Sequence, residues 1–265
     1  VLGDLNYQED ELLFFYFGQR MHDGLLPYVD LWDRKPPSLF LLYYLFAAIS
    51  RSVYVFQLAA LAFAAMTAQV IALLSERIGA RGAGSTLAGT VYLAMLLPFG
   101  GAGGQAPVFY NLLMALAALL VFSQRENLAK GKAKPGLFGA MLLAGLAVTF
   151  KQTAFFEAAF LGCYALWQLS RARIARSTLL VTCLAMIVTG AAPMLAWAIF
   201  YTVAGHFSEF WHAMVLSNLT KAYVLDASRL YRAKAYGLEI APFLLIAVGG
   251  LAWRNGEAVS SPGRL

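Results

Sequence analysis

Three consecutive acids, Glu9, Asp10 and Glu11, stand at the start of an aromatic, amphipathic stretch that runs to residue 24. A carboxylate held at the mouth of a cavity can accept the proton of an incoming hydroxyl, which is the role of a general base. Acids in the first turn of a helix are also favoured by the helix dipole, and Asp10 could simply be an N-cap. On these residues alone both interpretations stand.

A second polar stretch follows within a few residues. The segment DGLLPYVDLWDRKPPSLF, residues 23–40, has five charged side chains in eighteen residues, whereas the whole chain is only 13% charged. Its two cations, Arg34 and Lys35, directly precede Pro36 and Pro37, whose rings restrict the backbone. Charge combined with backbone stiffness is typical of a segment that lines a preorganised site.

The composition decides which solvent these segments meet. The chain is 60% hydrophobic, with a mean hydropathy of +0.66, far from the composition of soluble domains. Seven apolar runs recur, and several have the roughly 18–25 residues that cross a hydrocarbon core of about 30 Å. They are 53–74, 85–99, 106–123, 136–150, 152–169, 178–204 and 236–253. Buried helices of a soluble enzyme could explain one run but not seven, so we predict an all-α, multi-pass transmembrane bundle.

Positive charge predicts the orientation of these helices. If the seven runs cross in alternation, one side has 11 of the 20 basic residues but only three of the 14 acids. That side is expected to be cytoplasmic. Residues 1–52, the 100–105 loop, the 150–151 turn and the 205–235 loop are then expected to lie outside, in the periplasm or extracellular space. The protein is accordingly predicted to reside in the cell's inner (plasma) membrane.

The apolar run at 36–50 is short for a complete span. We interpret it as an interfacial helix, with a short spanning helix as the alternative. The predicted organisation is an outer loop with interfacial helices (1–52), a transmembrane domain of about seven spans (53–253) and a cytoplasmic tail (254–265). Because the chain begins without Met and stops in a polar stretch, we expect it to be part of a longer protein.

Several classes of site find no support in the sequence. Motifs for zinc, redox dithiols and nucleotide phosphates are absent, so no metal or other cofactor is predicted. Cys163 and Cys183 fall inside predicted spans and are expected to be packing residues. Basic loops in so apolar a chain favour contact with anionic membrane lipids, and they exclude nucleic acid as the expected partner.

The two polar stretches carry a resemblance to a known family. Asp10-Glu11, then Gly24, Pro27-Tyr28, Asp30 and Lys35-Pro36-Pro37, resemble in order and spacing the first outer loop of certain membrane glycosyltransferases of the GT-C fold. These are the polyprenyl-phosphate-sugar-dependent enzymes: protein O-mannosyltransferases, aminoarabinose transferases of lipid A and lipopolysaccharide-core transferases. The resemblance is weaker along the rest of the chain, where the helix pattern and the segments 145–154 and 210–223 contribute to it.

The resemblance implies an inverting transfer of a sugar from a polyprenyl-phosphate donor to a hydroxyl acceptor on a lipid, glycan or protein. Asp10 would be the base, and Glu11 would orient the acceptor or Asp10. Arg34 and Lys35 would stabilise the phosphate that leaves, because fixed cations have a strong effect at a site of low dielectric. Tyr28 belongs to the same substrate-binding motif. For Lys35 the alternative is a lysine that extends to lipid headgroups.

Further substrate-binding candidates lie at the same predicted side. Lys151 would contact the phosphate or, equally well, pair with Glu157. Asn218 and Tyr223 resemble family positions, although a solvated interfacial helix would also explain them.

The loop at 100–111 lacks the acid that family members usually have near this point. Gln105 and Asn111 could bind sugar hydroxyls there, or the glycine run could simply be a flexible loop. The terminal segments expected in a longer protein are not part of this sequence, and this leaves donor-sugar recognition open.

Two other classes compete with a transferase. A transporter would be expected to have ionisable groups near the middle of its spans and to show internal repeats, and this sequence has neither. A non-catalytic membrane subunit with a degenerate transferase fold would leave the arrangement of Asp10, Glu11 and Lys35 without a reason.

Overall fold

A computed structural model describes residues 2–3, 9–101, 103–220 and 227–260, and all regular structure in this part of the chain is helical. The helices are α1 (Glu9–Met21), α2 (Pro37–Ile49), α3 (Tyr54–Arg77), α4 (Ala83–Leu96), α5 (Ala106–Ser123), α6 (Arg125–Ala129), α7 (Pro135–Val148), α8 (Ala154–Arg171), α9 (Arg176–Val203), α10 (Phe207–Trp211), a π-helical turn (His212–Leu216), α11 (Ser217–Leu219) and α12 (Ala227–Ser260). The all-α prediction is confirmed for these residues.

Each of the seven predicted apolar runs forms a helix, and the ends agree to within three residues for all but the last. The run at 106–123 is reproduced by α5, and the run at 136–150 appears as α7. Proline in the first turn sets the start of α2, α5 and α7, where its fixed φ suits a helix and its missing N–H costs nothing. The last run, 236–253, lies inside the much longer α12 because polar residues on both sides of it are also helical.

Four helices are long and apolar enough to cross a membrane by length and composition. They are Tyr54–Arg77, Ala106–Ser123, Arg176–Val203 and Leu230–Gly250. The helices α4 and α7 are apolar but have only 14 residues, about 21 Å at 1.5 Å per residue. The helix α8 carries Glu157 and Arg171. The described residues therefore indicate a membrane protein with four candidate spans where the sequence predicted about seven.

The chain divides into two compact units, Val1–Thr220 and Lys221–Leu265, and the second consists of α12 in its described part. In the first unit, α1 packs on α2 through an aromatic core around Phe14, Phe40 and Tyr43. A second apolar cluster joins α5, α7 and α8 and is formed mainly by alanine and leucine. The helices α7 and α9 approach each other closely at Gly145 and Gly190, where no Cβ could fit on Gly145.

Inter-helix segments that were predicted to share one side meet at one end of this unit. The Ser38 hydroxyl lies 2.7 Å from that of Thr149, and the Tyr201 hydroxyl donates to the Pro27 carbonyl at 3.2 Å. The connections predicted to lie on the opposite side also contact each other: Gly131, between α6 and α7, lies against Ile174, between α8 and α9, and Gly136 lies against Gln124. The polar stretch 23–40 is thus held among the ends of several helices. We call this end of the first unit, where residues 23–40 meet Thr149 and Tyr201, the site end.

Candidate functional site

Asp10 and Lys35 form an ion pair at the site end. The Asp10 Oδ2 atom lies 3.5 Å from the Lys35 Nζ atom, and Lys35 Nζ also lies 5.4 Å from the centre of the Phe14 ring. Because α1 begins at Glu9, Asp10 stands in its first turn and not at the predicted N-cap position. The two side chains are 55% and 37% exposed, so the pair contributes only about 0–1 kcal/mol and either group can exchange its partner readily.

The backbone around Lys35 is fixed by two neighbouring side chains. The Asp33 Oδ1 atom accepts a hydrogen bond from the Lys35 amide at 2.9 Å, and the Tyr28 hydroxyl donates to the Lys35 carbonyl at 2.7 Å. Pro36 and Pro37 follow and are buried. The predicted stiffness of this segment therefore has a structural basis, and it acts directly on the position of the Lys35 ammonium.

Tyr28, a predicted substrate-binding residue, is buried in the aromatic core at the site end, and its role in substrate binding stays a prediction. Its side chain is 4% exposed and contacts the rings of Phe40, Tyr201 and Phe210. Burial raises the pKa of its hydroxyl well above the ordinary value, so it remains a neutral donor to the Lys35 carbonyl. The geometry makes Tyr28 a support for Lys35, because its hydroxyl is enclosed and already bonded.

Lys151 brings a second ammonium group to the site end. It lies in the turn between α7 and α8, half-buried, with its Nζ atom 5.9 Å from the centre of the Tyr110 ring. The pKa of Lys151 is lowered, first by burial and then by the positive charge of Lys35, while Glu157 acts in the opposite direction. Lys35 and Lys151 therefore stand close enough to repel each other.

The alternative of a Lys151–Glu157 ion pair is not realised at contact distance. Among the described residues no ion pair within 4.0 Å involves Lys151, and Glu157 instead interacts with the Tyr110 hydroxyl. The three N–H donors of the Lys151 ammonium consequently have no ion-pair partner in this part of the chain.

Gln152 joins three segments of the site end, and the sequence analysis did not identify it. Its Nε2 atom donates to the Met214 carbonyl at 3.2 Å and, more weakly, to the Arg34 carbonyl at 3.4 Å. The signal in the sequence was only its place beside Lys151, at the junction of two apolar runs. Because it bonds backbone atoms, no charge pattern could have indicated its partners.

Glu11 is buried beside Asp10 and faces another segment. Only 3% of the residue is exposed, and its Oε2 atom accepts a hydrogen bond from the Gly104 amide at 2.9 Å. Burial raises the pKa of the Glu11 carboxyl, and the bond from Gly104 partly offsets this. The predicted role, orienting Asp10 or the acceptor, stays a prediction; the contact that the structure shows is with the loop before α5.

The remaining predicted residues are less closely associated with the ion pair. The Arg34 side chain is exposed. The Asn218 Nδ2 atom donates to the carbonyls of Met214 and Ala213 at 3.2 and 3.4 Å, so its amide is bonded to its own helical segment. Tyr223 lies outside the described residues.

An apolar cavity of about 520 Å³ lies between α7, α8 and α9. Val148 and Phe155, on either side of the Lys151 turn, line one part of it, and Cys163 and Cys183 line another. Both cysteines are free thiols; Cys183 is partly buried, whereas Cys163 is exposed and does not have the packing role expected of it. In the described part of the chain, no group of three or more His, Cys, Asp or Glu side chains could hold a metal ion.

Comparison with protein-family models, with curated proteins and with solved structures found no match to this chain.

Proposed function

We propose that this chain is an inverting glycosyltransferase of the GT-C type, which moves a sugar from a polyprenyl-phosphate donor to a hydroxyl acceptor. One observation carries the proposal: a carboxylate, Asp10, pairs with the ammonium of Lys35 at one end of a helical bundle, and Lys151 lies at the same end, where its neighbour Gln152 bonds to the Arg34 carbonyl. That set of charges suits a reaction in which a hydroxyl loses a proton and a phosphate leaves.

In the proposed reaction Asp10 accepts the proton of the acceptor hydroxyl while the hydroxyl oxygen bonds to the anomeric carbon of the sugar. The bond from that carbon to the phosphate oxygen breaks, and polyprenyl phosphate leaves with the electron pair. Lys35 and Lys151 stabilise the negative charge that collects on the phosphate. Phosphate binding would draw Lys35 away from Asp10, and the exposure of that ion pair makes the exchange inexpensive.

Two features of the helices support the same proposal. Four apolar helices suit a membrane enzyme, and the apolar cavity beside the Lys151 turn has room for part of an isoprenoid chain. In this proposal the helices form a multi-pass bundle in the plasma membrane, and the site end faces the periplasm or the outside. The helices α1 and α2 would then lie at the membrane interface.

The test compares variants of the purified protein in nanodiscs for release of polyprenyl phosphate from a panel of lipid-linked sugars. Asp10→Asn removes the base with little change of volume, and we expect it to lower turnover by a factor of about 10²–10⁴. Asp23→Asn is the matched control, because Asp23 also forms an exposed ion pair, with Arg20 at 2.7 Å. We expect its turnover to stay close to that of the wild type.

A double variant tests whether Asp10 acts as the base or only as the ion-pair partner of Lys35. If Asp10 only holds Lys35, then Asp10→Asn will add no loss in the Lys35→Met background, and the combined variant will match Lys35→Met. If Asp10 is the base, its loss will be the larger and will persist in the Lys35→Met background. No release by the wild-type protein from any donor of the panel would contradict the transferase proposal itself.

A further inference from the structure

The peptide at Gly104 is held on both of its polar atoms by side chains from two other helices. Its N–H donates to the Glu11 Oε2 atom at 2.9 Å, and its carbonyl accepts from the Tyr43 hydroxyl at 2.6 Å. Glu11 belongs to α1 and Tyr43 to α2, while Gly104 lies just before α5. All three groups are buried, so water does not compete for these bonds.

Glycine is required where these side chains meet the loop. A Cβ atom on Gly103 would collide with the Glu11 carboxylate, and one on Gly104 would collide with the Tyr43 hydroxyl. Gly103 also has φ +62°, a conformation that other residues seldom adopt. The sequence GG at 103–104 is therefore matched to Glu11 and Tyr43.

The cost of burying Glu11 shows that this contact is more than ordinary packing. Its Oε1 atom is buried and has no hydrogen-bond partner among the described residues. A half-satisfied carboxylate is unfavourable in a protein interior. Helix capping does not explain it, because the bond that Glu11 forms reaches a residue 93 positions away.

We propose that Glu11 and Tyr43 clamp the Gly104 peptide between them. This clamp would hold the segment 103–105 in a fixed position beside the Asp10–Lys35 pair. Glu11 is then a positioning residue, whereas Asp10, next to it on the chain, is the group that reacts. The clamp stands on geometry alone; its effect on turnover rests on the proposed transferase function.

Hydrogen exchange of the Gly104 amide tests the clamp without any substrate. Mass spectrometry of peptides that cover residues 97–106 compares the wild type with Glu11→Ala, Glu11→Gln and Tyr43→Phe in nanodiscs. Loss of a buried charge-assisted hydrogen bond should speed exchange of this amide at least about tenfold in Glu11→Ala. Glu11→Gln keeps an oxygen that can accept the bond, and its exchange should stay within about threefold of the wild type.

Tyr43→Phe keeps the ring in the core and removes only the donor to the Gly104 carbonyl, so it too should speed exchange. Tyr44→Phe is the matched control: this neighbouring hydroxyl makes no hydrogen bond in the described part of the chain, and the variant should exchange like the wild type. Unchanged exchange in Glu11→Ala would overturn the clamp. Exchange in Glu11→Gln as fast as in Glu11→Ala would also overturn it, because the acceptor alone would then not hold the loop.

Turnover provides the second readout. Glu11→Ala should lower kcat, and Glu11→Gln should restore most of it, whereas the loss in Asp10→Asn should persist. Full turnover in Glu11→Ala together with a freely exchanging Gly104 amide would show that the fixed position of segment 103–105 does not contribute to catalysis. If no variant or wild type turns over any donor, the transferase proposal fails, and the exchange experiment still decides whether the clamp exists.

Discussion

Lys151 holds its charge under unfavourable conditions. It is half-buried, Lys35 repels it, and Glu157, the acid whose charge favours it, also interacts with the Tyr110 hydroxyl. A bound phosphate would relieve both costs, since it would neutralise two ammonium groups at once. The same conditions lower the pKa of Lys151 below the ordinary value of 10.5, so its charge is lost at a lower pH than that of a free lysine.

Binding of polyprenyl phosphate should consequently depend on pH at this residue. As the pH rises from about 8 towards 10.5, Lys151 loses its proton and the affinity should fall, because the ammonium charge is lost while the phosphate, with a second pKa of about 6, hardly changes its own charge. Lys151→Arg should flatten this dependence, since arginine stays charged throughout the range. The measurement is the Kd of a fluorescent polyprenyl phosphate in nanodiscs at each pH.

The control for this titration is Lys130→Arg, which makes the same exchange outside the site end. It should show the pH dependence of the wild type. A wild-type affinity that falls no more steeply than that of Lys151→Arg would show that the Lys151 ammonium does not contact the phosphate.

The positions of α3 to α5 and α7 to α9 could be predicted from the sequence to within three residues, but the contacts between helices could not. Apolar runs located α5 and α7 closely, because this signal is local. The hydrogen bond from Gly104 to Glu11 joins residues 93 positions apart, and no hydrophobic periodicity or motif predicts such a pair. The same limit applies to the burial of Tyr28. Its motif predicted a substrate-binding role, but the contacts with Tyr201 and Phe210 that bury its side chain could not be predicted from the sequence.

The contact between α7 and α9 yields a prediction about stability. Gly145 faces the Gly190 carbonyl so closely that an added Cβ must push the two helices apart. Gly145→Ala should therefore destabilise the protein by about 1–3 kcal/mol, the usual cost of overpacking. Gly139→Ala, on the same helix but with open space around it, should be neutral or stabilising by about 0.5–1 kcal/mol. Thermal unfolding of both variants in detergent gives the comparison.

If Gly145→Ala unfolds at the same temperature as Gly139→Ala, α7 and α9 do not approach each other as described. In that case the apolar cavity that both helices line would also not have the described shape.

Across the first unit, the alternation of helices and the distribution of charge divide the connecting segments in the same way. In its described residues, the segments that the charge count assigned to the acidic side have five basic residues and seven acids outside α8. The other connections of this unit have nine basic residues and two acids. The proposed active site, which would use an outward-facing lipid-linked sugar, predicts that the first group is outside, and the tendency of basic loops to stay in the cytoplasm predicts that the second is inside.

Cysteine labelling in intact cells tests this sidedness directly. In a background where Cys163 and Cys183 are replaced, Arg51→Cys and Ser208→Cys report on one group of segments, and Arg81→Cys and Lys132→Cys on the other. All four positions are exposed. A membrane-impermeant maleimide should label the first pair in intact cells and the second pair only after permeabilisation. Labelling of the second pair alone in intact cells would place Asp10 and Lys35 in the cytoplasm. The proposed reaction would then need a donor that faces inward, and the basic loops would stand on the side that they normally avoid.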